Sequence, residues 1–190
     1  IFVYVGVEVG VPNVLQKWLQ NPELNVLGSG VNVEAIAGSV AATYWLLMLV
    51  GRLLGAMIGS KVSAKSMLMV VSSAGLLLTL GAMFAPNVPV NVPVSAALLV
   101  LVGLCTSVMW GGIFNLAVEG LGKYTEKASG IFMALVCGGG ILPLLQNGIV
   151  DLTGGVGYLT SYWVIVAGLA YMLYYALIGS KNVNKDIPVD

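Results

Sequence analysis

Residues 1–19 read IFVYVGVEVGVPNVLQKWL, an apolar run that nevertheless holds Glu8, Pro12, Asn13, Gln16 and Lys17. A carboxylate at the centre of a membrane helix costs roughly 2.5 to 3.5 kcal/mol on insertion scales, so it faces a bundle interior or a watered cavity. At about 100° per residue, Tyr4, Glu8, Pro12 and Gln16 share one side of a helix and Asn13 flanks it. That side is expected to wall a polar cavity. Pro12 has no backbone N–H, which leaves a carbonyl about one turn back open to another donor. The plainer alternative is a Pro-kinked packing helix whose Glu8 is satisfied by a neighbour.

The rest of the chain supports a membrane setting. Of 190 residues 58% are hydrophobic and only 8% charged, with a mean hydropathy of +0.97. Soluble domains average about 25% charged residues, so this is the composition of an integral membrane protein. Eight basic residues balance eight acidic ones, and no basic patch suggests a nucleic-acid partner. Cys105 and Cys137 lie in apolar runs and His is absent, so neither a disulfide framework nor a metal site is expected, and no cofactor. The sequence opens in apolar residues without Met or a signal-peptide n-region, which is expected of a piece of a longer protein.

Crossing a bilayer takes about 20 apolar residues, and the sequence predicts six spans, at 1–19, 34–58, 66–85, 94–118, 128–150 and 157–179. They form one unit over 1–190, joined by short connections rich in breakers: Asn21-Pro22, Gly28-Ser29-Gly30, then Pro86, Pro89 and Pro93, then Gly154-Gly155. Lys61 and Lys65, Lys123 and Lys127, and Lys181 and Lys185 fall in alternate connections, with Arg52 towards the same side. The opposite connections, 20–33, 86–93 and 151–156, hold no Lys or Arg. The positive-inside rule then puts both termini in the cytoplasm. Lys17 dissents, and is expected to snorkel to the outer interface.

Six spans divide into two sets of three with opposite topology, the arrangement of a 3+3 inverted repeat in secondary transporters. The first span of each set, one and four, would line the cavity. Span four adds Thr106, Ser107, Trp110, Asn115 and Glu119. Gly51, Gly55 and Gly59 recur every four residues, which suits close helix packing. Gly138, Gly139 and Gly140 precede Pro143 and weaken a helix more than packing requires, so a hinge in span five is the functional alternative. Glu119, Lys123, Glu126 and Lys127 read as a solvated helix end.

The mixture Glu8, Asn13, Gln16, Trp110, Asn115 and Gln146 suits a saccharide, because amides and a carboxylate match its hydroxyls and an aromatic matches its flatter ring face. Each amide serves equally well as an interhelical hydrogen bond. A channel or a non-transporting receptor is the competing class, although a selectivity filter needs rings of charge or a carbonyl loop that the sequence lacks. An intramembrane enzyme would need a zinc motif or a nucleophile with its base, and there is no His to supply either.

Several stretches together resemble one family. They are Tyr4-Val5-Gly6-Val7-Glu8-Val9, the run Gly51-Arg52-Leu53-Leu54-Gly55 leading to Lys61 and Lys65, and residues 110–125, WGGIFNLAVEGLGKYT. The span-five pattern Ser129-Gly130, Gly138-Gly139-Gly140-Ile141, Pro143, Gln146, Gly148 and Asp151 belongs to the same likeness. The family is the fucose and glucose/galactose proton symporters of the major facilitator superfamily. The resemblance implies a twelve-helix carrier in two six-helix halves. It also implies alternating access around a central monosaccharide site and proton-driven uptake across the bacterial inner membrane. This chain is similar to the second half, helices seven to twelve, with an N-terminal six-helix half as its partner. Arg52, Lys61 and Lys65 match the family's cytoplasmic-gate motif, whereas Gly111-Gly112 stands where members commonly have Pro.

Overall fold

The computed structural model describes residues 1–28, 30–85 and 93–181. The expected breakers Ser29, Pro86 and Pro89, and Lys185, lie outside the described residues. Among the described residues nine α-helices run in chain order: α1 (Phe2–Gln20), α2 (Val33–Ile58), α3 (Ala64–Phe84), α4 (Val94–Thr106), α5 (Met109–Val118), α6 (Thr125–Ala134), α7 (Gly138–Leu152), α8 (Tyr158–Ser161) and α9 (Trp163–Tyr174). Helix starts follow local chemistry. The Asn32 side chain accepts from Ala35 N–H at 3.1 Å to cap α2, and Ser63 Oγ accepts from Ser66 N–H at 3.2 Å to cap α3. Gly154 and Gly155 turn the chain after α7 at φ of 69° and 81°, a backbone region that costs glycine nothing.

Among the described residues five segments are long and apolar enough to cross a membrane: Val33–Ile58, Ala64–Phe84, Val94–Val118, Gly122–Leu152 and Tyr158–Gly179. They coincide with five of the six expected spans. The sixth, α1, is an unbroken helix of 19 residues, but it is not among the apolar five. Its hydropathy is diluted by Glu8, Asn13, Gln16 and Lys17, so six membrane crossings do not follow from length and apolarity alone.

Three spans are not the single helices their hydropathy suggests. The fourth breaks between α4 and α5, where Ser107 Oγ donates to Leu104 O at 2.6 Å and Thr106 Oγ1 donates to Gly103 O at 3.2 Å. Such side-chain bonds compete with the helical ladder and bend it. The fifth is interrupted by a 3₁₀ turn, Leu135–Cys137, immediately before the glycine triplet, and the sixth ends in a π turn, Tyr175–Gly179. Hydropathy averaged over a whole span is blind to these breaks, because one or two hydroxyl residues or a change of helix type barely alter the mean.

Helix α1 is the hub, packing on α7, α2, α4 and α9, while α3 closes the far side on α4, α5 and α9. Three fully buried tyrosines fasten α1 to its surroundings. Tyr4 OH donates to Thr106 O at 3.1 Å, the carbonyl at the broken end of α4. Tyr162 OH donates to Val11 O at 2.8 Å. Tyr44 OH donates to Glu8 O at 3.1 Å, and Glu8 is the residue four before Pro12 whose carbonyl has lost its helical partner. The open carbonyl expected from Pro12 is thus filled by a hydroxyl from α2.

Candidate functional site

The N-terminal half of α1, the C-terminal end of α2, the start of α3 and helix α5 enclose a cavity of about 630 Å³. Its place is the end of the bundle that carries Lys61 and Lys65. Glu8, Arg52, Ser107, Trp110 and Asn115 supply its polar lining, among Val5, Gly55, Met67 and Gly111. Pockets for small ligands run from about 300 to 1,000 Å³, so the volume suits one small molecule with its water.

Glu8 and Arg52 face each other across it, with Arg52 Nη2 donating to Glu8 Oε1 at 3.1 Å. The carboxylate side chain is only 12% exposed and the guanidinium side chain 56%, so the pair spans the boundary between packed helices and open cavity. The burial of Glu8 comes from the α1–α2 contact, while Arg52 reaches in from two turns before the end of α2 and also lies 3.4 Å from Met48 Sδ. Trp110 is held at the wall by an edge contact with Tyr4, ring centroids 6.0 Å apart. The cavity therefore offers an anion, a cation, an amide and an indole, a set whose chemistry matches hydroxyl groups and a flat apolar ring face.

Of the six candidate binding residues, Glu8, Trp110 and Asn115 are brought together here. Asn13 and Gln16 lie further along α1, outside the cavity lining. Gln146 is fully buried, wedged against Gly10, and neither its Oε1 nor its Nε2 has a hydrogen-bond partner among the described residues. The gate candidates lie on different elements: Arg52 on α2 pairs with Glu8, Lys61 is in the turn between α2 and α3, and Lys65 is in the first turn of α3.

The hinge candidates have distinct surroundings. A Cβ on Gly138 would strike the backbone carbonyl of Phe2, and one on Gly139 would lie 3.0 Å from Val5 Cγ1, whereas Gly140 faces open space. Pro143 is buried within α7. Gly51 and Gly55 are contact glycines, since a Cβ on either would strike Ser107 or Val108 at the α4–α5 break.

One arrangement went unseen in the sequence. Lys17 Nζ donates to Asn147 Oδ1 at 2.9 Å, which ties the expected snorkelling lysine to α7. Asn147 Nδ2 donates to Pro143 O at 2.6 Å and to Asn13 Oδ1 at 3.4 Å, joining α1 and α7 by a polar cluster. Its spacing of four residues from Pro143 was the available signal.

The fold is similar to that of part of a solved transporter of the major facilitator superfamily. Superposition on FucP, a transporter of that superfamily solved in the outward conformation, gives a TM-score of 0.70 over 92% of this chain and 41% of that one, at 18% identity. In sequence the chain is similar to a glucose/galactose transporter of Brucella abortus, 31% identical over 182 residues that make up 96% of this chain and 41% of that protein. The family resemblance read from the sequence is thus borne out, and the chain spans about two fifths of the length of the proteins it matches. No family model matches it.

Proposed function

We propose that this chain is one half of a secondary active sugar transporter, the six-helix C-terminal half, which carries a monosaccharide such as fucose, glucose or galactose by alternating access with a proton as coupling ion. In this reading α1 crosses the membrane as well, making six crossings as a 3+3 inverted repeat, with both termini on the cytoplasmic side of the bacterial inner membrane. The observation that carries the reading is the uncovered edge of α1. Although α2, α4, α7 and α9 enclose most of this helix, Asn13, Lys17 and Gln20 are left exposed along one stripe, and Glu8 opens beside it into the cavity. Polar side chains on lipid-facing surface are costly, so the stripe belongs against water and a second protein wall, as at the central pathway of a two-half carrier.

Glu8, Trp110 and Asn115 then form the inner part of the sugar site, and Asn13 and Gln16 extend it outward along α1. Arg52 holds Glu8 in place, and with Lys61 and Lys65 it contributes the cytoplasmic gate. The resemblance to glucose/galactose transporters supports a sugar as cargo. The test is equilibrium sugar binding and gradient-driven uptake by the full-length parent in vesicles. A hydrogen bond to a charged group is worth about 1.5 to 3 kcal/mol, so Glu8→Ala is expected to lower sugar affinity about ten-fold or more. Glu8→Gln, which keeps an acceptor, should fall between. Unchanged binding and accumulation in Glu8→Ala would refute the site.

A further inference from the structure

A second groove, of about 410 Å³, runs between α2 and α3 and ends on the α4–α5 break. Leu54, Ile58, Val62, Met67 and Val70 line it, and its only polar side chains are Ser66 and Ser107. Both hydroxyls are already engaged, Ser66 with Ser63 Oγ at 2.9 Å and Ser107 with Leu104 O. Nothing in the groove asks for a polar ligand. Leu54, Ile58, Val62 and Val70 are also exposed, so it opens outward rather than into the bundle.

The mouth has the opposite character. Lining residues Val62 and Ser66 each directly follow a lysine, Lys61 and Lys65, and the turn from 59 to 66 contains no Asp or Glu. Neither lysine forms an ion pair among the described residues. Neither lysine lines the groove, but each adjoins in sequence a residue that does, which brings two cations near one end of an apolar slot. That combination fits an anionic amphiphile, and in a membrane protein the available one is a phospholipid. A neutral lipid would leave the cations unmatched, and a free anion would leave the slot empty.

We propose that this groove seats one acyl chain of an anionic phospholipid whose phosphate is held by Lys61 and Lys65. The groove adjoins the Glu8 cavity, sharing Gly55, Val62, Met67, Ser107 and Val108 with its lining, but neither Glu8 nor Arg52 lines it, and it does not depend on which sugar, if any, is carried. A bound lipid would also screen two of the three charges assigned to the cytoplasmic gate, which ties gate movement to the composition of the inner leaflet.

Lipid binding is read without transport, so the sugar assignment and this one fail separately. The full-length parent in detergent is given equal amounts of phosphatidylglycerol and phosphatidylcholine with identical acyl chains, and retained lipid is counted by native mass spectrometry. Two basic side chains near an anionic headgroup favour it by about ten-fold or more, so that preference for phosphatidylglycerol is expected. The K61Q/K65Q variant should retain the two lipids equally, K61R/K65R should keep the preference, and Val70→Trp, which fills the groove from its exposed rim, should retain less of both. Equal retention by the unaltered protein, or a preference that survives K61Q/K65Q, overturns the proposal. So does displacement of the lipid by glycerol phosphate alone, which would show an anion site without the acyl chain. Retention of neither lipid would mean that the rest of the transporter covers the groove, and overturns it equally.

Discussion

Pro12 and Tyr44 act as a pair, and the chemistry requires it. Proline strips Glu8 O of its helical donor, and an unpaired buried carbonyl costs about 1 to 3 kcal/mol. Tyr44 OH fills the gap and at the same time lies 3.2 Å from Thr106 Oγ1, so one hydroxyl joins α1, α2 and the end of α4. Tyr44→Phe is therefore expected to destabilise the fold by about that amount, while Pro12→Ala restores an N–H for Glu8 O. In the Pro12→Ala background the cost of Tyr44→Phe should shrink by about 0.5 to 1.5 kcal/mol, the net worth of one hydrogen bond. A double-mutant cycle in a denaturant unfolding assay measures it, and strict additivity would mean that the two residues are independent. The sequence showed half of this arrangement, since a proline four residues after Glu8 names the carbonyl that will be vacant. It could not name Tyr44, because a donor 36 residues away is chosen by helix packing. Glu8 itself was legible as an expensive charge, but its ion-pair partner Arg52 was not, because Arg52 was read only with Lys61 and Lys65 as part of a gate motif. The Glu8–Arg52 contact depends on how α1 crosses α2.

At the scale of elements, hydropathy located five spans to within a few residues and the interruptions inside them not at all. The break at Ser107 arises from hydroxyls bonding back to Leu104 O and Gly103 O, and Ser and Thr are ordinary enough in membrane helices that the pattern carries no warning. The glycine triplet did give a warning, and the structure divides it. Gly138 is fixed by contact, because any side chain there meets the Phe2 carbonyl, whereas Gly140 has nothing within 4 Å. Gly138→Ala should therefore lower thermal stability despite the better helix propensity of alanine. Gly140→Ala should be neutral or stabilising by up to about 1 kcal/mol, the propensity difference in a helix interior. Thermal unfolding of the two variants side by side checks this, and equal effects would place both glycines in one environment. If Gly140 bends during transport, the same substitution should slow uptake while leaving sugar binding intact, since it stiffens the turn that follows the 3₁₀ segment Leu135–Cys137.

For the whole molecule, the uneven covering of the helices is the guide to what it does. Helix α1 has its apolar side in the core and a polar stripe outside, whereas α2 buries only Ala37, Val40, Tyr44, Met48 and Gly51 and leaves Leu46, Leu49, Leu53 and Met57 exposed. Apolar surface is at home in lipid, but Asn13, Lys17 and Gln20 are not, and the Glu8 cavity has no wall on that side. A bundle of this kind can insert, since its core and its tyrosine bonds are internal to it, yet it cannot move a solute by alternating access, which needs a second body to rock against around the shared site. Expressed alone, the chain should therefore reach the membrane with its helices formed and show no sugar uptake. Expressed together with the remaining part of its parent as a separate polypeptide, it should recover sugar-specific uptake that Glu8→Ala abolishes. Uptake by the isolated chain, verified as a monomer, would show that the cavity beside Glu8 is already a complete pathway. Failure of the co-expressed parts, with both present and associated in the membrane, would mean that the polar stripe of α1 faces something other than a second half of the carrier.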